Sequence, residues 1–225
     1  MDWTEILRFS RGPLFHFSLV IFIAGMIYRL VRIIFLGWEK DRVKSQGSKL
    51  SGVIISYLKG LIILPFIPWV RRTFKNNALT FIAGGLFHLS LFLVLIFGEA
   101  HILVWQSLFG VSWAPLPNPI VDWLAAVGII SLIILLINRL THPVLRLLTK
   151  LPVWINWTLV FLPFVTGYIM YHHLWFPYEV IFSLHLIFVC LLLIWIPFSR
   201  MSHFLFYFFS RTIHGARAGK RAVTP

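Results

Sequence analysis

"FHLSLFLVLIFGEAH", residues 87–101, is the stretch on which the fold turns. Leu, Phe, Val and Ile fill most of it, yet a histidine stands near each end and Glu99 lies just before the second one. Read outward in both directions, the apolar run reaches from about residue 78 to 105. That is long enough for a bilayer, because about 20 residues rising about 1.5 Å each cover a hydrocarbon core of about 30 Å. The whole chain agrees: of 225 residues 59% are hydrophobic and only 12% charged, with a mean hydropathy of +0.87. Such a composition excludes an ordinary water-soluble domain and sets the fold class as an all-α integral membrane protein.

Four further runs qualify as spans, at about 13–37 ("PLFHFSLVIFIAGMIYRLVRIIFLG"), 119–139, 151–172 and 177–200. The expected architecture is therefore a five-helix transmembrane bundle forming one domain over residues 1–225. A sixth apolar segment, "SGVIISYLKGLIILPFIPW" at 51–69, carries Lys59, Pro65 and Pro68 and is flanked by basic residues. Its weaker residues Gly52, Ser56, Lys59 and Gly60 recur at helical spacing, as in a helix lying in the membrane interface or re-entering it. The N-terminus, with acidic residues before the apolar run and no small-residue cleavage site after it, does not read as a secretory signal.

Of the 20 lysines and arginines, all but Arg8 and Arg11 fall toward one side of this arrangement, ending in a basic tail over 204–225. The segments "QSLFGVSWAPLPNP" (106–119) and "HHLWFPYE" (172–179) hold none. The expected topology places the N-terminus outside and the C-terminus in the cytoplasm of a prokaryotic inner membrane. The formal charge of +13 then reflects topology and not a nucleic-acid surface. Trp3, Trp38, Trp105, Trp113 and Trp175 sit near run ends, as interfacial tryptophans do. The single cysteine, Cys190, excludes an internal disulfide and a cysteine-ligated iron–sulfur cluster, and reads as a small packing residue.

Nine histidines are many for so apolar a chain. An ionisable group inside a membrane calls for a functional explanation, and neutral imidazole is a good iron ligand. With the second run rising from inside to outside and the fifth descending, His88 and His203 fall at the inner level, and His101 and His185 at the outer. Two haems held through histidine pairs follow, with His16 as an alternative outer ligand. His185 and His203 are 18 residues apart, which on one continuous helix is five turns and the same face. His88 and His101, 13 apart, fall on different sides, and their rise of roughly 20 Å is less than the roughly 27 Å of the other pair. Pro197 is placed to kink the last run. His142 and His214 lie in basic segments and are expected to be exposed; His172 and His173 lie at the outer mouth.

The run "FHLSLFLVLIFGEAH" together with "HLIFVCLLLIWIPFSRMSH" (185–203) resembles the gamma subunit of respiratory nitrate reductases. It also resembles the membrane cytochromes of heterodisulfide-reductase-like and sulfite-reductase-associated complexes, to which the opening "RGPLFHFSLVIFIAGMIYRL" is the more similar. The resemblance implies a cytochrome b subunit with two b haems, exchanging electrons between a quinone, menaquinone or ubiquinone, and an iron–sulfur partner subunit. The spacing from His88 to His101 is about a turn longer than in the nitrate reductase subunit, and the outer loops lack a lysine for the quinone.

Quinone chemistry also moves protons, and Glu99 is the candidate for that transfer, with His172, His173 or Glu179 at the same level. The chain carries no flavin motif or catalytic cluster of its own, so the second half-reaction is assigned to the partner, expected on the cytoplasmic side against the basic segments. The competing reading is a haem-free transporter or assembly factor with structural histidines.

Overall fold

The computed structural model describes residues 2–35, 42–63 and 77–223. Among them every regular element is helical. Helix α1 runs Trp3–Phe35, α2 Lys49–Leu58, α3 Ala78–Phe97, α4 Glu99–Phe109, α5 Asn118–Thr141, α6 Pro143–Leu147, α7 Leu151–Tyr171, α8 Tyr178–Trp195 and α9 His203–Lys220. Five helical segments are long and apolar enough to cross a membrane: α1, α3, α5, α7, and α8 with the turn that extends it to Phe198. All five sequence-expected spans are therefore present, although the first begins ten residues earlier than expected. Trp38, Pro65 and Pro68, and with them the ends of the 13–37 and 51–69 segments, lie outside the described residues.

Local chemistry sets the helix limits. Ser48 and Asn77 cap α2 and α3 by accepting from the backbone N–H of Ser51 and Thr80. Prolines 119, 143 and 152 stand at or beside the first positions of α5, α6 and α7, where a missing N–H costs nothing. In α1, Pro13 lies within a π-helical turn, Ser10–Leu14, which absorbs its missing donor.

Two expected continuous helices are broken. The 78–105 run divides at Gly98, whose ψ of 128° is extended. The last helix ends at Trp195, passes through two 3-10 turns around Ser199 (ψ 177°), and restarts at His203. The first break is fully capped. A helix leaves its last four carbonyls without intrahelical partners. Here Val94 accepts from the Gly98 N–H and from His101 Nδ1 at 3.0 Å each, Leu95 from Trp105 Nε1 (3.3 Å), Ile96 from Trp113 Nε1 (2.9 Å) and Phe97 from the Leu116 N–H (3.0 Å). Trp105 and Trp113, expected only as interfacial residues, thus have defined partners.

The chain divides into two compact units, residues 1–17 with 77–192 and residues 18–76 with 193–225. In the first, α3, α5, α7 and α8 pack through small and polar side chains. Gly128 of α5 lies so close to Phe164 of α7 that a Cβ would stand 2.5 Å from the ring. Ser90 donates to the Leu124 carbonyl, Asn138 to Thr80 Oγ1 at 2.7 Å, and Trp157 Nε1 to the Leu132 carbonyl at 3.0 Å. Ser90 and Ser183 are fully buried, whereas Ile130 and Ile137 are more than half exposed. This inside-out distribution suits lipid, where apolar side chains face the solvent and small or polar ones let helices approach and hydrogen-bond.

In the second unit α2 and α9 run antiparallel. The Gln46 N–H donates to the Lys220 carbonyl (2.8 Å), and Tyr57 donates to the Phe208 carbonyl (2.9 Å). Between these ties, a Cβ on Gly52 would meet Gly219 Cα at 2.6 Å, and one on Gly215 would meet Ser56 Cβ at 2.8 Å. Gly52 and Ser56, expected to form a polar stripe toward the interface, are buried in this crossing instead, and Gly60 lies against Tyr207 and Arg211. Small residues at that spacing make a close-packing face as readily as a weakly polar one. Within this unit Gly25 leaves room for Pro197, and Arg29 Nε donates to the Pro197 carbonyl at 2.7 Å, which secures the break before α9.

Candidate functional site

The five candidate ligand histidines share one feature: Nδ1 of each is engaged by another group of the chain. His16 Nδ1 faces the Gly12 carbonyl at 2.7 Å, His88 Nδ1 the Gly84 carbonyl at 2.6 Å, His101 Nδ1 the Val94 carbonyl at 3.0 Å and His203 Nδ1 the Arg200 carbonyl at 3.2 Å. A carbonyl only accepts, so Nδ1 carries the hydrogen in these four. His185 Nδ1 lies 3.2 Å from Thr166 Oγ1, and that hydroxyl donates to the Leu162 carbonyl at 2.7 Å. Its oxygen therefore accepts from His185, and the same tautomer results. In neutral imidazole this places the lone pair on Nε2, and a hydrogen bond at the second nitrogen is what orients and fixes a metal-binding histidine.

His101 and His185 come together in the first unit. They stand on different helices, α4 and α8, within electrostatic reach of one another, and both are partly buried. A glycine lies beside each ring. A Cβ at Gly98 would stand 3.0 Å from His101 Nδ1, and one at Gly167 would stand 3.2 Å from His185 Cε1. Each imidazole therefore packs directly against a glycine, where a larger residue would collide with the ring.

His88 is exposed midway along α3, with the Phe87 ring edge-on at 5.0 Å, and belongs to the first unit; His203, exposed at the first turn of α9, belongs to the second. His16 is exposed on α1 beside Phe15. The expectation that His185 and His203 share one face of a continuous helix fails, because the helix breaks between them. The angular argument separating His88 from His101 fails for the same reason at Gly98. Among the described residues no three His, Cys, Asp or Glu side chains gather around a bare metal ion. Axial ligation of haem needs only two histidines per iron.

Glu99 is exposed in the first turn of α4, where a carboxylate is favoured by the helix dipole. Glu179 holds the equivalent position on α8. His173 is exposed with a φ of 51°, its ring 6.3 Å from Tyr178. His214 is exposed as expected, but His142 is half-buried where α5 ends, with Nδ1 enclosed and without a hydrogen-bond partner among the described residues. The residue that sequence reasoning missed is Asp122. Its Oδ1 accepts from His172 Nε2 at 2.7 Å, which joins α5 to the residue that ends α7 across 50 positions. Such a long-range pair leaves no local signal.

The helices and their inverted packing define a multi-pass helical membrane protein. The chain is 31% identical over 207 residues to a protein of Nitratidesulfovibrio vulgaris (strain Hildenborough), across 90% of this chain and 89% of that relative, and it belongs to the same family. No protein-family model and no solved structure matches it.

Proposed function

We propose that the chain is a di-haem cytochrome b, the membrane subunit of a quinone-linked respiratory complex of the kind that its resemblance to nitrate reductase gamma subunits implies. The observation that supports this most directly is the His101–His185 pair. The two rings come from different helices of one unit, with Nδ1 of each held and a glycine beside each. These two residues hold the outer haem and His88 with His203 the inner one; His16 is the alternative to His101. The haems supply one-electron transfer at two depths. The protein fixes each tautomer, excludes water through the surrounding apolar side chains and leaves the basic inner segments for an iron–sulfur partner on the cytoplasmic side.

Haem content tests the reading. The purified protein should show a reduced-minus-oxidised b-type spectrum, and replacing His88, His101, His185 or His203 by Ala should each remove about half of the haem. A colourless preparation from haem-replete cells would instead favour a transporter or assembly factor. Loss of the outer haem on His16→Ala but not on His101→Ala would exchange those two assignments.

A further inference from the structure

His172 differs from the other hydrogen-bonded histidines in which nitrogen it commits. In the five candidate ligands Nδ1 is held; in His172 it is Nε2, which donates to Asp122 Oδ1 at 2.7 Å. The lone pair therefore lies on Nδ1. A carboxylate that holds one imidazole nitrogen orients the ring and stabilises the imidazolium formed when the other nitrogen takes a proton. About a third of the His172 side chain and a quarter of Asp122 are exposed, 33% and 25%, so the pair reaches both the protein and its surroundings.

Position gives the pair a partner. His172 lies five residues beyond Gly167, which flanks His185, or about 8 Å along α7. Asp122 follows Val121, whose Cγ1 lies 3.7 Å from the Cβ position of Gly98 beside His101. The dyad is therefore at the same end of the first unit as the His101–His185 pair. Tyr168 and Tyr171 face the imidazole with ring centroids 4.4 and 5.1 Å away, giving it an aromatic surround. His173 is next in the chain, and the stretches 76–138 and 151–199 contain no lysine or arginine. Within those stretches no cationic side chain competes with His172 for Asp122.

We propose that Asp122 and His172 form the proton-accepting dyad of a quinol site beside the outer haem pair, with His172 as the base and Asp122 as its positioning residue. The inference rests on the cytochrome reading above. A quinol hydroxyl O–H bond breaks, its proton forms an N–H bond at His172 Nδ1, and one electron leaves for a ferric haem. His172 releases that proton to water at its exposed edge, and the second hydroxyl proton and electron follow. In sum one quinol and two ferric haems give one quinone, two ferrous haems and two protons. Quinone reduction is the reverse.

The test compares His172→Gln, Asp122→Asn and, as a control in the exposed 110–117 connection, Ser112→Ala with the unmodified protein, each reconstituted with haem. Reduction by dithionite needs no proton acceptor and should be unchanged in all three. Single-turnover haem reduction by menadiol should slow at least tenfold in the first two and stay within twofold in the third. Titration with a fluorescent hydroxyquinoline N-oxide, read by quenching, should show weaker binding to the His172 variant. If either variant loses its haem, carbethoxylation of His172 in the unmodified protein, followed by peptide mass spectrometry, decides: protection by the N-oxide supports the site and unchanged labelling overturns it. Menadiol rates unaltered by both dyad substitutions, with haem intact, would overturn the dyad and leave the cytochrome standing. Absence of haem from the unmodified protein would overturn both.

Discussion

At the scale of single residues, the histidines divide by the nitrogen they commit. His101 serves two ends with one bond: Nδ1 adds a second donor at the Val94 carbonyl at the end of α3 and, by doing so, leaves the lone pair of the neutral ring on Nε2. His185 relies instead on the Thr166 hydroxyl and on the space beside Gly167. A side chain at 167 must push on the imidazole, since even a Cβ would lie 3.2 Å from it. On the cytochrome reading proposed above, Gly167→Leu should lower outer-haem occupancy at least fivefold while the inner haem persists, as read by the amplitude of the b-type spectrum. The candidate ligands were legible in the sequence because an imidazole in an apolar run is conspicuous. Asp122 was not, since a carboxylate three residues into a span reads as an interfacial group until its partner, fifty positions away, is seen.

At the scale of elements, the spans were legible and the breaks within them were not. An apolar run of sufficient length demands a helix in lipid, because every backbone group must be satisfied internally. Nothing local marks Gly98 as a break, since glycine is tolerated within membrane helices. What makes this break possible is distant: Trp105, Trp113 and the Leu116 N–H supply the donors that the ended helix needs. Trp113→Phe keeps an aromatic side chain but removes the Nε1–H and its exposed hydrogen bond to the Ile96 carbonyl, at a cost of about 0.5–1.5 kcal/mol. The expected result is a lower unfolding temperature in detergent by differential scanning fluorimetry, with Trp123→Phe, on a ring 73% exposed, as the neutral control. The small residues of α2 misled in another way. Gly52 and Ser56 read as a weakly polar stripe, because the glycines that they meet lie in a tail too basic to announce itself as a packing helix.

At the scale of the whole molecule, composition alone identified the solvent. Buried serines beside exposed isoleucines and leucines are the packing order that lipid favours. Five crossings place the 106–117 and 172–177 connections on one side and the 142–150 connection on the other. With Cys190 buried and replaced by Ser, single cysteines introduced at Ser112 and Thr149 should react with a membrane-impermeant maleimide from opposite faces of intact cells or vesicles. By the distribution of basic residues, Ser112 is the one that labels from outside. Labelling of both from one face would remove a span.

The crossing of α2 with α9 also has a consequence in time. Its two sides are separated by some 150 residues, and the glycine face of α2 emerges from the ribosome long before Gly215 and Gly219 exist. At about 5–20 residues per second the delay is on the order of ten seconds, during which four further spans must enter the bilayer. The last helix to be made therefore closes over the second, so that the hairpin forms only on a chain whose membrane insertion has already been carried through.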